Sequence, residues 1–197
     1  TVQAADGFAG VLSKVDSVKA DGNIVEISFT DGAVKGRITF LENGVFRYNV
    51  DPSGEFSEYA KVRGGYPDTG KIQAQPDDSD RYTKPAADVS DDADKFTITN
   101  DAGDTVIEFD KETAIMTVKA GDTVVMEEAA PLNIGSSGTT QTLVKHDETN
   151  YNAGLREEFY GGGTQNGRFV HTDETINISN ESSWTDGGVS SPSPFYY

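Results

Sequence analysis

No cysteine occurs among the 197 residues, which excludes disulfides and thiolate metal sites and leaves redox compartment unread. Histidine is nearly as scarce. His146 and His171 lie far apart, without the short spacing of a zinc pair, so each reads as an ordinary polar β residue. Basic residues are few as well: 16 Lys and Arg against 33 Asp and Glu leave a net charge of −17. Such a field repels nucleic acid and anionic membrane surfaces and favours solubility, so nucleic acid is excluded as a partner. No apolar run approaches the roughly 18 residues that a membrane-spanning helix needs. Signatures of chemistry are missing too. No G-x-S-x-G elbow frames a serine nucleophile. Gly162 to Gly167 has a passing likeness to a phosphate loop, but Arg168 and Phe169 stand where Lys and Ser or Thr belong, and no long helix follows. The sequence implies no cofactor, no metal and no complete catalytic centre.

What is present is a strand pattern. The chain is long enough to bury a real core. Its 35% hydrophobic and 10% aromatic content fits a folded domain under a polar coat. Asn23 to Thr30 alternates, with Val25, Ile27 and Phe29 on one face. Arg37 to Leu41 and Val45 to Val50 flank Glu42-Asn43-Gly44, and Asn-Gly between β-rich runs is a strong hairpin signal. Lys95 to Thr99, Thr105 to Phe109, Ala114 to Val118 and Thr123 to Glu127 follow as four strands joined by Asp-, Asn- and Gly-bearing turns. Gln141 to Lys145 and Glu174 to Ser179 are further expected strands. No helical stripe of 12 or more residues is found. The predicted class is all-β, a two-sheet antiparallel sandwich.

Gln73 to Asp94 interrupts the pattern with Pro76, Pro85 and two clusters, Asp77-Asp78-Ser79-Asp80 and Asp91-Asp92-Ala93-Asp94. A linker between two small domains would explain it. A long excursion within one sandwich explains it better, because neither half alone holds many strands. Neither cluster has the D-x-[DN]-x-[DN]-G spacing that aims carboxylates at one calcium ion, so both read as solvated acidic loops. The sequons at Asn177 and Asn180 are incidental if the source is bacterial.

Glu157 to Tyr197 is the informative segment. Three consecutive glycines, Gly161, Gly162 and Gly163, are expected in a structural loop, where the chain turns tightly or approaches a ligand. Gln165, Asn166 and Arg168 follow. The only tryptophan, Trp184, then stands among Asn180, Glu181 and Asp186, ahead of Gly187-Gly188. A planar apolar face among amides and carboxylates is the residue mix of a sugar site. An inward-packed tryptophan in an ordinary loop explains the composition equally well.

At Phe159-Tyr160-Gly161-Gly162-Gly163 and Ser193-Pro194-Phe195-Tyr196 the sequence resembles the N-terminal β-sandwich domain of glycoside hydrolase family 31, the α-glucosidase and α-glucosyltransferase family. Members commonly carry an aromatic-Tyr/Phe-Gly-x-Gly motif, then a loop with Asn, Trp and Asp, then a proline-led strand. Arg37 to Arg47 and Phe96 to Asp110 resemble the family's earlier strands. The family motif usually has Glu after its second Gly, whereas Thr164-Gln165 follow Gly163 here, so the roles of Gln165, Asn166 and Arg168 are the least determined.

The resemblance implies a galactose-mutarotase-like sandwich over residues 1–197, ahead of a (β/α)₈ barrel that holds both catalytic aspartates. No catalytic residue is therefore expected in this chain. Gln165, Asn166, Arg168, Asn180, Glu181, Trp184 and Asp186 are the implied substrate contacts. The implied partners are the barrel of the same polypeptide and an α-glucan or α-gluco-oligosaccharide. The apolar run Pro194-Phe195-Tyr196-Tyr197 is expected to sit inside a longer polypeptide. Composition suggests a secreted or cell-surface protein of a Gram-positive bacterium. The alternative is a stand-alone carbohydrate-binding or cell-surface module. A free aldose mutarotase fits poorly, since two isolated histidines do not make its His/Glu acid–base arrangement.

Overall fold

The computed structural model describes residues 7–56, 80, 82–101, 103–136, 138–144, 158–165, 170, 171, 175 and 189–196, with 162–165 and 189–196 as backbone only. The described residues form strands and turns, with no helix among them. The chain divides into two compact units, Thr1–Val144 and Lys145–Tyr197. The polar stretch from Gln73 to Asp94 thus lies within the first unit.

In that unit the chain runs through β1 (Gly10–Val11), β2 (Val15–Asp21), β3 (Ile24–Phe29), β4 (Lys35–Glu42) and β5 (Val45–Asp51). It continues through β6 (Ala87–Asp91), β7 (Lys95–Asn100), β8 (Thr105–Asp110), β9 (Met116–Ala120), β10 (Thr123–Gly135) and β11 (Gly138–Leu143). Strands β2 to β5 pair in chain order as one antiparallel sheet, and β6 to β10 pair in chain order as the other, with β1 and β11 added to β10. This is an all-β sandwich of two antiparallel sheets.

Alternation explains the packing. Val25, Ile27 and Phe29 of β3, with Ile38 and Phe40 of β4, face Phe96, Ile98, Ile107, Phe109, Met116 and Val118 of the other sheet in one buried cluster. The Asn43-Gly44 turn closes as expected, with Gly44 left-handed at φ 72° and a bulge between Phe40 and Glu42. Pro131 sits inside β10, where its missing N–H would normally break a ladder. It is tolerated because the β10–β11 register shifts between Ala130 and Asn133.

Several details differ from the sequence reading. The strand expected from Ala114 begins at Met116, because Ala114 is left-handed (φ 56°) and its N–H closes a turn onto the Asp110 carbonyl at 2.9 Å. The strand expected at Gln141 to Lys145 is β11, which starts earlier and ends at Leu143. Of the strand expected at Glu174 to Ser179, only Thr175 is described, and it is not in a strand. β1, β2 and β6 are additional.

The second unit holds β12 (Gly161–Gln165) and β13 (Val189–Tyr196), paired antiparallel from Gly161↔Tyr196 to Gln165↔Val189. Gly161, Gly162 and Gly163 were expected in a loop and are strand residues instead. A ladder needs only backbone groups, so glycine extends without hindrance. Gly161 takes φ 132°, a conformation L side chains rarely adopt, beside a register shift between Gly161 and Gly163.

Candidate functional site

The β12–β13 ladder is the frame of the candidate site. Its last pair, Gln165↔Val189, brings the two ends of the 166–188 segment side by side. Closing so long a connection costs conformational entropy, which a short ladder at its base offsets. Of the implied substrate contacts, Gln165 ends β12, whereas Asn166, Arg168, Asn180, Glu181, Trp184 and Asp186 lie outside the described residues. Around the entry to β12, the Tyr160 hydroxyl bonds the Glu158 carboxylate, and the His171 N–H donates to the Phe159 carbonyl at 2.8 Å. His146 also lies outside the described residues.

The first unit holds an ionisable group that the sequence reading missed. Glu128 of β10 is 2% exposed. Its Oε2 accepts from the Met116 N–H at 2.9 Å, and its Oε1 accepts from Nε2 of Gln141 at 2.8 Å. Burial pushes its carboxyl above the usual carboxylate range, against the opposing pull of Gln141 and Met116. The Tyr48 phenol of β5 is raised in turn, first by burial and then by the Glu128 charge. The signal was available. In a strand, adjacent glutamates point to opposite faces, so one of Glu127 and Glu128 had to turn toward the core. Both carboxylate oxygens serve strand partners, which marks a structural rather than a reactive group.

Elsewhere, charge is neutralised across strands. Glu108 takes Lys95 at 2.6 Å and Lys119 at 2.9 Å. The pull of the two lysines overcomes desolvation and holds its carboxyl below the usual range. In the second acidic cluster, Lys111 bonds the Asp91 carboxylate and the Asp92 carbonyl, with its ammonium 4.5 Å from the centre of the Phe96 ring. Among the described residues, no group of three or more His, Asp or Glu is placed to hold a metal ion. No helix among them is long and apolar enough to cross a membrane.

No protein-family model and no curated protein sequence matches the chain. Solved structures do. A GH31 dextranase of Flavobacterium johnsoniae complexed with glucose superposes with a TM-score of 0.69 over 94% of this chain, at 13% identity. A variant of that dextranase complexed with isomaltotriose gives 0.66 at 14% identity. The fold is one found in GH31 enzymes. A cycloalternan-forming enzyme from Listeria monocytogenes, in complex with a pentasaccharide substrate, matches 82% of this chain at 20% identity with a TM-score of 0.55. The chain spans 21% of the dextranase and 14% of the Listeria enzyme. The chain therefore corresponds to a minor part of the length of each of these larger proteins.

Proposed function

We propose that this chain is the non-catalytic N-terminal β-sandwich of a GH31 enzyme acting on α-linked glucosides. In this reading the sandwich is of the galactose-mutarotase-like type, supports a catalytic barrel in the same polypeptide, and lends a loop within Asn180 to Gly188 to the barrel's substrate pocket. The observation that carries it is the fold likeness to a GH31 dextranase over 94% of this chain but 21% of that one. The motif Phe159-Tyr160-Gly161-Gly162-Gly163 supports it independently, because it falls at β12, one side of the ladder that closes the candidate segment. An α-glucan-processing role agrees with secretion or cell-surface display by a bacterium.

Trp184 then offers a stacking face to a sugar ring and Asp186 accepts hydrogen bonds from glucosyl hydroxyls. The test compares the intact gene product with the 197-residue chain. The intact product releases or transfers glucose from aryl α-glucosides, maltose or isomaltose, and the chain alone does not. Losing a charged hydrogen-bond partner costs ~1.5–3 kcal/mol, so Asp186→Ala lowers kcat/KM of the intact product roughly 10- to 150-fold. Turnover by the chain alone, abolished by mutating one of its own carboxylates, overturns the proposal. Tight binding of gluco-oligosaccharides by the chain alone favours a free-standing carbohydrate-binding module.

A further inference from the structure

Glu128 occupies a fork in the larger sheet. Up to Glu127, β10 pairs with β9, the last pair being Glu127↔Thr117; from Glu128 onward it pairs with β11, beginning at Glu128↔Leu143. Met116, the first residue of β9, lies just beyond that last pair, and its N–H is taken by the Glu128 side chain. The other carboxylate oxygen reaches β11 through Gln141. One buried carboxyl thus ties three strands together where the ladder changes partners. β11 itself is exposed along nearly its whole length and is the last element of the first unit, from which the chain leads into the second.

We propose that Glu128 is a proton-linked clasp, which fastens β11 to the sheet most firmly when protonated and loosens it as the carboxyl ionises. The hydrogen bonds accommodate both states. Ionised, the two oxygens accept from Met116 and Gln141. Protonated on Oε1, the acid donates to Gln141, whose amide turns to present its oxygen, while Oε2 still accepts from Met116. What changes is the burial of a charge, which the sandwich interior disfavours. Among the described residues, little offsets that charge. β1 and β11 contain no charged residue, and Lys119 of β9 is held by Glu108. Phe109 of β8 is apolar, and among the described residues the titratable group that Glu128 acts on from across the sandwich is the Tyr48 phenol of β5.

When β11 peels away, Glu128 meets water and titrates at its ordinary value near 4.5; docked, it titrates higher. Docking is therefore firmest below about pH 4.5 and weakens as pH rises through the docked value. Hydrogen exchange reads this directly. The Val144 N–H, bonded to the Glu127 carbonyl at 2.8 Å, reports the β11 junction, and fully buried Ile98 and Ile107 report the core. After correction for intrinsic exchange, opening at Val144 relative to the core rises with pH in the wild type by up to about tenfold per pH unit, the limit for one linked proton. In Glu128→Gln, which keeps the shape but cannot ionise, the ratio is independent of pH. The same pH dependence in both proteins overturns the proposal. Should Glu128→Gln not fold, Gln141→Val removes the β11 arm from an exposed position. It must then raise opening at Val144 several-fold with Ile98 and Ile107 unmoved, and an unchanged Val144 overturns the clasp.

Discussion

Asp110 shows how single side chains stabilise the turns between these strands. Its Oδ1 accepts from the N–H groups of Glu112 at 3.0 Å and Thr113 at 2.8 Å, and from the Thr113 hydroxyl at 2.8 Å. The Thr113 hydroxyl is the main cause of a carboxyl held below its ordinary value, joined by the two backbone donors. A lowered folded value means that the stabilisation is present above the ordinary pKa of 3.8 and is lost as pH falls below it. Asp51, lowered by the Ser53 hydroxyl and neighbouring N–H groups in spite of its desolvation, behaves alike. Asp110→Ala is expected to destabilise the chain by ~1–2 kcal/mol at neutral pH, with a smaller effect as pH falls below 3.8. Thermal melts across that range check it. Glu128 has the opposite sign, so Glu128→Gln gains stability toward neutral pH, where the wild type must bury a charge. The Asp110 turn could be read from its Asp and Thr, but the left-handed Ala114 that completes it could not. Alanine gives no local cue for positive φ, and tertiary packing decides it.

Among elements, legibility followed the regularity of the side-chain period. β3, β7 and β8 alternate without interruption, and the sequence placed each within a residue or so. β2 was missed because a register shift between Val15 and Ser17 puts its buried valines, Val15 and Val18, three apart rather than two. β6 was hidden by its charge, since only Ala87 and Val89 alternate against acidic neighbours. β12 was misread because glycine carries no side-chain pattern at all. β4 contains a glycine with a definite role. A Cβ at Gly36 would lie 3.2 Å from Cε2 of Tyr48 and 3.3 Å from the Ile27 side chain, so the Tyr48 ring fills the space above a bare backbone. Tyr48 also packs edge-on against Phe109 of the opposite sheet, at 5.9 Å between ring centres. Gly36→Ala must push that ring aside, and overpacking of this kind costs ~1–3 kcal/mol. Urea unfolding is expected to show a lower midpoint with an unchanged slope, and an unaltered midpoint would mean that the ring moves freely.

For the whole molecule, the net charge of −17 and the single tryptophan together permit a direct test of the candidate site. The sugar-facing reading puts Trp184 in water when the 197-residue chain is alone. The competing reading packs it inward. Because Trp184 is the only tryptophan, the indole emission of the chain reports that residue alone. The acidic surface dictates the quencher: iodide is repelled by such a field and would make an exposed indole look protected, so neutral acrylamide is required. A water-facing Trp184 emits at long wavelength, is quenched efficiently by acrylamide in the folded chain, and gains little further quenching on unfolding. Trp184→Ala then leaves the melting temperature within about a degree or two, as surface substitutions within ±0.5 kcal/mol do. An inward Trp184 emits at shorter wavelength and resists acrylamide until the chain unfolds. In that case Trp184→Ala opens a cavity and costs ~3–5 kcal/mol, a drop of many degrees. That second set of results would remove Trp184 from the proposed sugar contacts while leaving Asp186 to be tested by its own substitution in the intact product.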